Sequence, residues 1–278
     1  LLIQALVALL AAGAYGSADF FGGLASRRMA AAAVVVLSQV VGLVLLAALF
    51  PFVPAHVRAS DVEWGLLAGL FGAIGIGALY AALAIGRMGL VSPVTAVVGA
   101  AVPVAWGLFF GERPGWAALT GIALAFVAVA LVSTDAQTLR ISRREPGLGL
   151  ALVSGLAIGL LYLVLARAHA DSGLTVLAAS RAGSIPLLTA YALAMRESLR
   201  PSRDLWPALA AAGALDMAAN VLYVLSARMG SLAVAAVLTS LYPAATVFLA
   251  RIILGERLSR IQWLGVGCAV AGVVFIAA

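Results

Sequence analysis

Gly86-Arg87-Met88-Gly89 followed by Gly111-Glu112-Arg113, and Ala227-Arg228-Met229-Gly230 followed by Gly255-Glu256-Arg257, are two versions of one pattern in a single chain. The offset is 141 residues at the Arg-Met-Gly marks and 144 at the Gly-Glu-Arg marks, so the first copy is three residues shorter between them. A pattern repeated at matched places across two halves is the mark of a doubled structural unit. The residues between the marks are overwhelmingly apolar, in runs long enough to cross a bilayer, so the doubled unit is a membrane module, a construction common among transporters.

Composition leads to the same class. Hydrophobic residues make up 64% of the 278, and charged residues only 10%, where a water-facing domain carries about a quarter. At roughly 20 apolar residues per crossing there is room for about ten spans with short loops, and none for a sizeable soluble domain. The net charge of +6 is spread in ones, twos and threes between apolar runs; without a basic helical face or interleaved aromatics it does not point to nucleic acid. Every basic residue is arginine. The single cysteine, Cys268, lies in the last apolar run, which leaves no disulfide framework or metal cluster, and it reads as a small packing residue. The chain starts apolar, without a basic lead or a cleavage signature, so the first run reads as a span rather than a signal peptide.

A window of about 19 residues places spans near 2–23, 30–50, 64–85, 91–110, 116–133, 147–167, 173–195, 205–226, 231–253 and 262–278. The fold expected is therefore an all-α membrane protein with ten transmembrane helices, arranged as two five-helix repeats. The first occupies 1–133, a polar linker with Arg140, Arg143 and Arg144 occupies 134–146, and the second repeat occupies 147–278. An odd number of spans per unit sends the second copy in from the opposite side, giving an inverted pair. Counting residues at the span ends with the adjoining loop, loops 1–2, 3–4, 5–6, 7–8 and 9–10 carry 12 arginines against four in the others, with Arg181 inside a span; the positive-inside rule puts those loops in the cytoplasm and both termini outside.

Tyr15-Gly16-Ser17 in the first span, the run Gly86-Arg87-Met88-Gly89-Leu90-Val91-Ser92-Pro93, and the closing Gly-Glu-Arg before a glycine-rich fifth span resemble the EamA family of the drug/metabolite transporter superfamily, over essentially the whole chain. The resemblance implies a carrier in the bacterial inner membrane, with two inverted repeats around a central cavity lined by helices 1, 3 and 4 of each. It also implies export of amino acids or other small metabolites, a YddG-type exporter of aromatic amino acids being one candidate. Members commonly keep both termini in the cytoplasm, opposite to the arginine count.

Three ionisable side chains fall well inside the apolar runs: Asp19, Arg181 and Asp216. Each is costly at membrane depth and is read either as a proton-coupling or substrate group or as half of an internal ion pair. Arg181 and Asp216 lie on consecutive antiparallel spans at depths differing by roughly 5 Å, within reach of each other. Asp19 lies around 10 Å below a membrane edge, where it can bind an ammonium group, take a proton, or pair with Arg27 or Arg28.

Polar and aromatic side chains in the spans that the resemblance places at the cavity are Tyr15, Tyr80, Thr95, Trp106, Tyr162, Asn220, Tyr223, Ser240 and Tyr242. Tyr80 and Tyr223 align at an offset of 143, as do Asp19 and Tyr162. Hydroxyl-tipped aromatics suit an apolar pocket that orients a small amphiphile through a few hydrogen bonds, and they also gather at membrane interfaces. Pro93, Pro103 and Pro243 remove helical N–H donors and serve either as hinges or as static kinks. Small residues in spans five and ten, Gly121 with Gly265 and Ala128 with Gly272, suit close helix contact within a monomer or a weak homodimer. Glu112-Arg113 and Glu256-Arg257 read as caps in tight turns.

No nucleotide-binding loop is present, so the expected partners are a small solute, the bilayer and protons, with no cofactor. Uniport and proton antiport both remain open. A channel would show rings of repeated polar residues. An intramembrane enzyme would need a catalytic set that this chain does not display, since His56 and His169 both fall in loops.

Overall fold

The computed structural model describes residues 2–52, 56–86, 88–111, 115–132, 146–254 and 259–277. The linker core, Arg87 and both Glu-Arg pairs lie outside them. Among the described residues the regular structure is entirely helical. This follows from the solvent: hydrocarbon offers nothing to a backbone N–H or C=O, so an apolar run satisfies its own peptide groups as a helix.

The first half contains α1 (Leu2–Ser26), α2 (Ala31–Leu49), α3 (Ala59–Ile85), α4 (Met88–Phe109) and α5 (Trp116–Val132). The second contains α6 (Leu148–Leu165), α7 (Thr175–Ala194), α8 (Trp206–Met229), α9 (Leu232–Thr239), α10 (Tyr242–Leu254) and α11 (Arg260–Ala277). Among the described residues, six segments are long and apolar enough to cross a membrane: Leu2–Ser26, Ala31–Phe52, Ala59–Ile85, Leu148–Leu165, Thr175–Ala194 and Arg203–Met229. Shorter apolar helices accompany them.

One expected span is corrected. The run 231–253 is not continuous but two helices that meet at Ser240-Leu241. Ser231 caps the first, accepting from the Val234 N–H. Pro243, expected as a hinge within a span, sits instead in the first turn of α10, where its missing N–H costs nothing because that donor has no intrahelical partner. Pro103 is buried inside α4, and the Pro93 side chain lies outside the described atoms.

The two halves interlock. α1 packs on α8 as α3 packs on α6; α2 packs on α8 as α3 packs on α7; α4 packs on α6 as α1 packs on α9 and α10; and α5 packs on α11. Exchanging each helix of one half with its counterpart in the other maps these pairs onto one another.

Contacts along the pairs fix their directions. Gly72 faces Leu161 and Gly75 faces Ile158, so α3 and α6 run antiparallel. Gly65 meets Val176 and Gly69 meets Ser180 and Ser184, so α3 and α7 run parallel. Gly155 lies against the Thr95 carbonyl and Gly159 against the Gly99 carbonyl, so α4 and α6 run parallel. Trp116 packs against Phe275, and Gly272 against Gly121 and Ala125, so the counterpart helices α5 and α11 run antiparallel. Missing side chains at these crossings let the backbones come close, the usual way helices associate without a hydrophobic drive between them.

Candidate functional site

Where α1, α3, α6, α7, α8 and α10 converge lies a narrow cavity of about 20 Å³, lined by Tyr15, Asp19, Tyr162, Arg181, Asp216, Asn220 and Tyr242 with a few apolar residues of α3 and α6. That volume holds a single water. Seven of the expected site residues therefore share one wall. They come from both halves of the chain.

Arg181 and Asp216 form the pair that their depths allowed, Nη2 donating to Oδ2 at 2.5 Å. The Asn220 side-chain amide donates to the Asp216 carbonyl one turn back, at 2.8 Å. Among the described residues, a further Arg181 donor, Nε, is buried without a partner, and so is the Tyr15 hydroxyl.

Asp19 is buried at 6% exposure and, among the described residues, has neither a hydrogen bond nor an ion pair. The pairing with Arg28 is not formed, because that guanidinium reaches Asp204 at 2.5 Å. A lone carboxylate at this depth is a costly anion unless a proton or a cation accompanies it. The cavity thus combines an uncompensated acid, a cation already bound on one side, and hydroxyl-bearing aromatic walls.

The other expected residues stand elsewhere. Tyr223 is fully buried behind the wall, its ring stacked on Tyr162 at 4.3 Å and its hydroxyl donating to the Tyr162 carbonyl at 3.2 Å. Tyr80, its repeat counterpart, donates to the Ala18 carbonyl at 3.4 Å and packs against Gly22. Each ties the third helix of its half to the first. Thr95 donates to the Ala151 carbonyl at 3.2 Å across the α4–α6 contact. Ser240 donates to the Val237 carbonyl at 2.6 Å and turns the chain out of α9. Trp106 is exposed, stacks on Phe110 at 4.1 Å and lies 5.0 Å from the Arg167 guanidinium carbon, away from the cavity.

The break between α9 and α10 seats Tyr242 in the cavity wall, its hydroxyl donating to the Ser92 carbonyl of α4 at 3.3 Å. Gly16 makes room for it: a Cβ there would overlap the Tyr242 carbonyl and Ala245. Thr246 completes the seam, donating to the Gly16 carbonyl at 2.9 Å.

At the end of the bundle holding the α1 N-terminus, a polar clamp closes the helices. Gln4 donates to the carbonyls of Ser226 and Ser231 at 3.2 and 2.8 Å, and Ser226 donates back to the Gln4 carbonyl at 3.1 Å. Fully buried Asp61 accepts from the His169 backbone N–H at 2.9 Å and lies 2.9 Å from the His169 ring Nδ1. Arg228 donates to the His169 carbonyl and the Ser172 hydroxyl at 3.0 and 2.9 Å. Arg58 holds Asp171 through both oxygens, one bond being 2.7 Å. That hydrogen-bonded guanidinium pulls the Asp171 carboxyl from an ordinary 3.8 down to about 2. Sequence reading missed this clamp because its members are scattered over more than 200 residues. The one available signal was the concentration of His56, Arg58, Asp61, His169 and Asp171 at span ends. Among the described residues no group of acids, histidines and cysteine could hold a metal ion.

No curated protein matches the chain in sequence. A solved structure titled "Crystal structure of protein" superposes with a TM-score of 0.71 at 17% identity, covering 98% of this chain and 94% of its own, which establishes a shared fold. The profile of the EamA-like transporter family matches residues 2–134 and again 145–278. With both halves matched and its apolar helices long enough to cross a bilayer, this chain is a multi-pass membrane protein that belongs to the EamA-like transporter family.

Proposed function

We propose that the protein is a gradient-driven carrier in the bacterial inner membrane that exports small amphipathic metabolites, amino acids foremost, by alternating access between two inverted five-helix repeats. The repeats are 1–133 and 147–278, joined by the segment 134–146. Support for the inversion comes from the antiparallel run of the counterpart helices α5 and α11 and from the exchange symmetry of the packing.

The observation that carries the reading is the cavity. Its uncompensated acid, Asp19, suits an ammonium group or a proton. Arg181, with Nε unpartnered, suits a carboxylate, and Tyr15, Tyr162 and Tyr242 supply apolar faces with polar tips. A zwitterion fits both signs of charge. At about 20 Å³ the cavity admits water and not an amino acid, so binding requires the two halves to part. This favours a carrier over a standing pore, and the break at Ser240-Leu241 offers a joint at the cavity wall.

The test is uptake of radiolabelled amino acids into proteoliposomes containing only this protein, with and without a pH gradient. Saturable uptake of one class is expected. Asp19→Asn is expected to remove the dependence on the gradient while leaving a folded protein; the same gradient response in Asp19→Asn would discard proton coupling at this residue and leave uniport. Absence of uptake for every amino acid by folded protein would overturn the substrate class.

A further inference from the structure

A second, larger cavity of about 830 Å³ lies on the other side of α3 from the central one, between the start of α2 and the C-terminal halves of α3 and α7. Its floor is made of small residues on one helix, Ala73, Gly77, Ala81 and Ala84, and its walls include Leu187 and Leu188. Ile74, Leu187 and Tyr191 are exposed, so the groove opens outward, toward where lipid surrounds a membrane protein. From Ala73 to Ile85 it runs about 18 Å along α3, close to the roughly 15 Å depth of one leaflet's hydrocarbon. The mouth lies at the end of the bundle where the α1–α2 and α7–α8 loops lie, and there the lining turns polar with Arg27, Arg28 and Glu197.

The charges at the mouth are not equivalent. Arg28 is committed to Asp204. Among the described residues Arg27 has no ion pair, and Glu197 keeps one carboxylate oxygen, Oε2, buried without a hydrogen-bond partner. One available cation and one groove-lining carboxylate without an ion pair among the described residues match a headgroup that carries an anion and a hydrogen-bond donor together. A lipid with only negative charge would leave Glu197 unsatisfied and repelled. A quaternary ammonium headgroup has no N–H to give it.

From this geometry we infer that the groove between α2, α3 and α7 binds one aminophospholipid of the phosphatidylethanolamine type. The phosphate sits at Arg27, the primary ammonium at the Glu197 carboxylate, and an acyl chain lies along the Ala73–Ala84 floor. The site is separate from the solute cavity and does not depend on what that cavity transports.

The experiment is native mass spectrometry of the intact protein after reconstitution in equal mixtures of phosphatidylethanolamine, phosphatidylglycerol and phosphatidylcholine. Retained adducts of phosphatidylethanolamine are expected about tenfold above either competitor. Glu197→Gln, which keeps the side chain's shape at the groove mouth and removes its charge, is expected to bring phosphatidylethanolamine down toward the phosphatidylcholine level. Gly77→Leu, which fills the floor, is expected to remove adducts of all three. Unchanged thermal midpoints in detergent serve as the control for folding; should Gly77→Leu fail that control, Ala81→Leu takes its place. Equal retention of the three lipids by the unmodified protein, or full lipid preference in Glu197→Gln, overturns the proposal. Displacement of the lipid by free phosphoethanolamine or by a free amino acid at millimolar levels also overturns it, because the groove would then be a solute vestibule with no use for an acyl chain.

Discussion

Asp19 and Arg181 sit in one cavity, yet their residue-level physics differs: among the described residues the first has no partner and the second has one. Removing half of a buried ion pair leaves the other charge uncompensated, at about 3–5 kcal/mol, whereas replacing both by apolar groups is often near neutral. Asp216→Asn is therefore expected to destabilise the protein strongly in a detergent unfolding series, and the Arg181→Met, Asp216→Leu double variant much less. Equal losses in the single and double variants would show that the pair is not internally compensated. Tyr223→Phe removes one hydrogen bond to the Tyr162 carbonyl but keeps the ring stack, so a loss of about 1 kcal/mol is expected, with uptake retained. The meeting of Arg181 with Asp216 was legible from residue counting, because two helices joined by a short loop fix relative depth. That Tyr80 and Tyr223 brace the wall from behind was not legible, since the repeat aligns them without saying which way either faces.

Among the elements, the α1–α10 crossing and the clamp on the α6–α7 loop bear on movement. Gly16→Leu places a side chain where the Tyr242 carbonyl and Ala245 lie, so it is expected to force α1 away from α10 and to lower both uptake and the thermal midpoint. Gly13 has open space at its Cβ position, so Gly13→Ala is the matched control, expected to be neutral or slightly stabilising by helix propensity. At the clamp, the Asp171 carboxyl is depressed to about 2 by its Arg58 hydrogen bonds. A depressed acid contributes stability in full above its unfolded value of 3.8 and loses it as pH falls toward 2. The Arg58–Asp171 contact thus stays charged across the neutral range, and Asp171→Asn is expected to leave the shape of the transport pH profile there unchanged. A profile that flattens in Asp171→Asn would contradict that assignment. The break between α9 and α10 was hidden in the sequence: the apolar run 231–253 reads as one span, and Pro243 alone permits either a kink or a fresh helix start.

For the whole molecule, the proposed ten crossings would place the two termini on the same side, and the proposed inversion of the repeats would make the first helix of each half enter from opposite faces. Cysteines introduced near Leu2 and near Ala277 in a Cys268→Ala background are expected to react alike with an impermeant thiol reagent applied to one side of sealed vesicles. Opposite labelling of the two would remove the ten-span reading. The side that reacts decides between the arginine count, which puts both termini outside, and the family resemblance, which puts them inside. Cys268 is part-buried against the core from α11, so the change to alanine there removes one sulfur atom from that contact.

The sequence by itself determined the solvent of this protein, its helical class and its doubling, because apolar run length and a repeated motif are properties of local composition and need no contact to be read. It also singled out the three costly charges at membrane depth. Only the tertiary structure decided which side chains share a cavity, that Asp19 stands apart while Arg28 turns to Asp204, and that a second groove opens beside α3. Those depend on the rotation of each helix about its axis. In a chain apolar on every face, the pattern of residues leaves that rotation open until neighbouring helices pack.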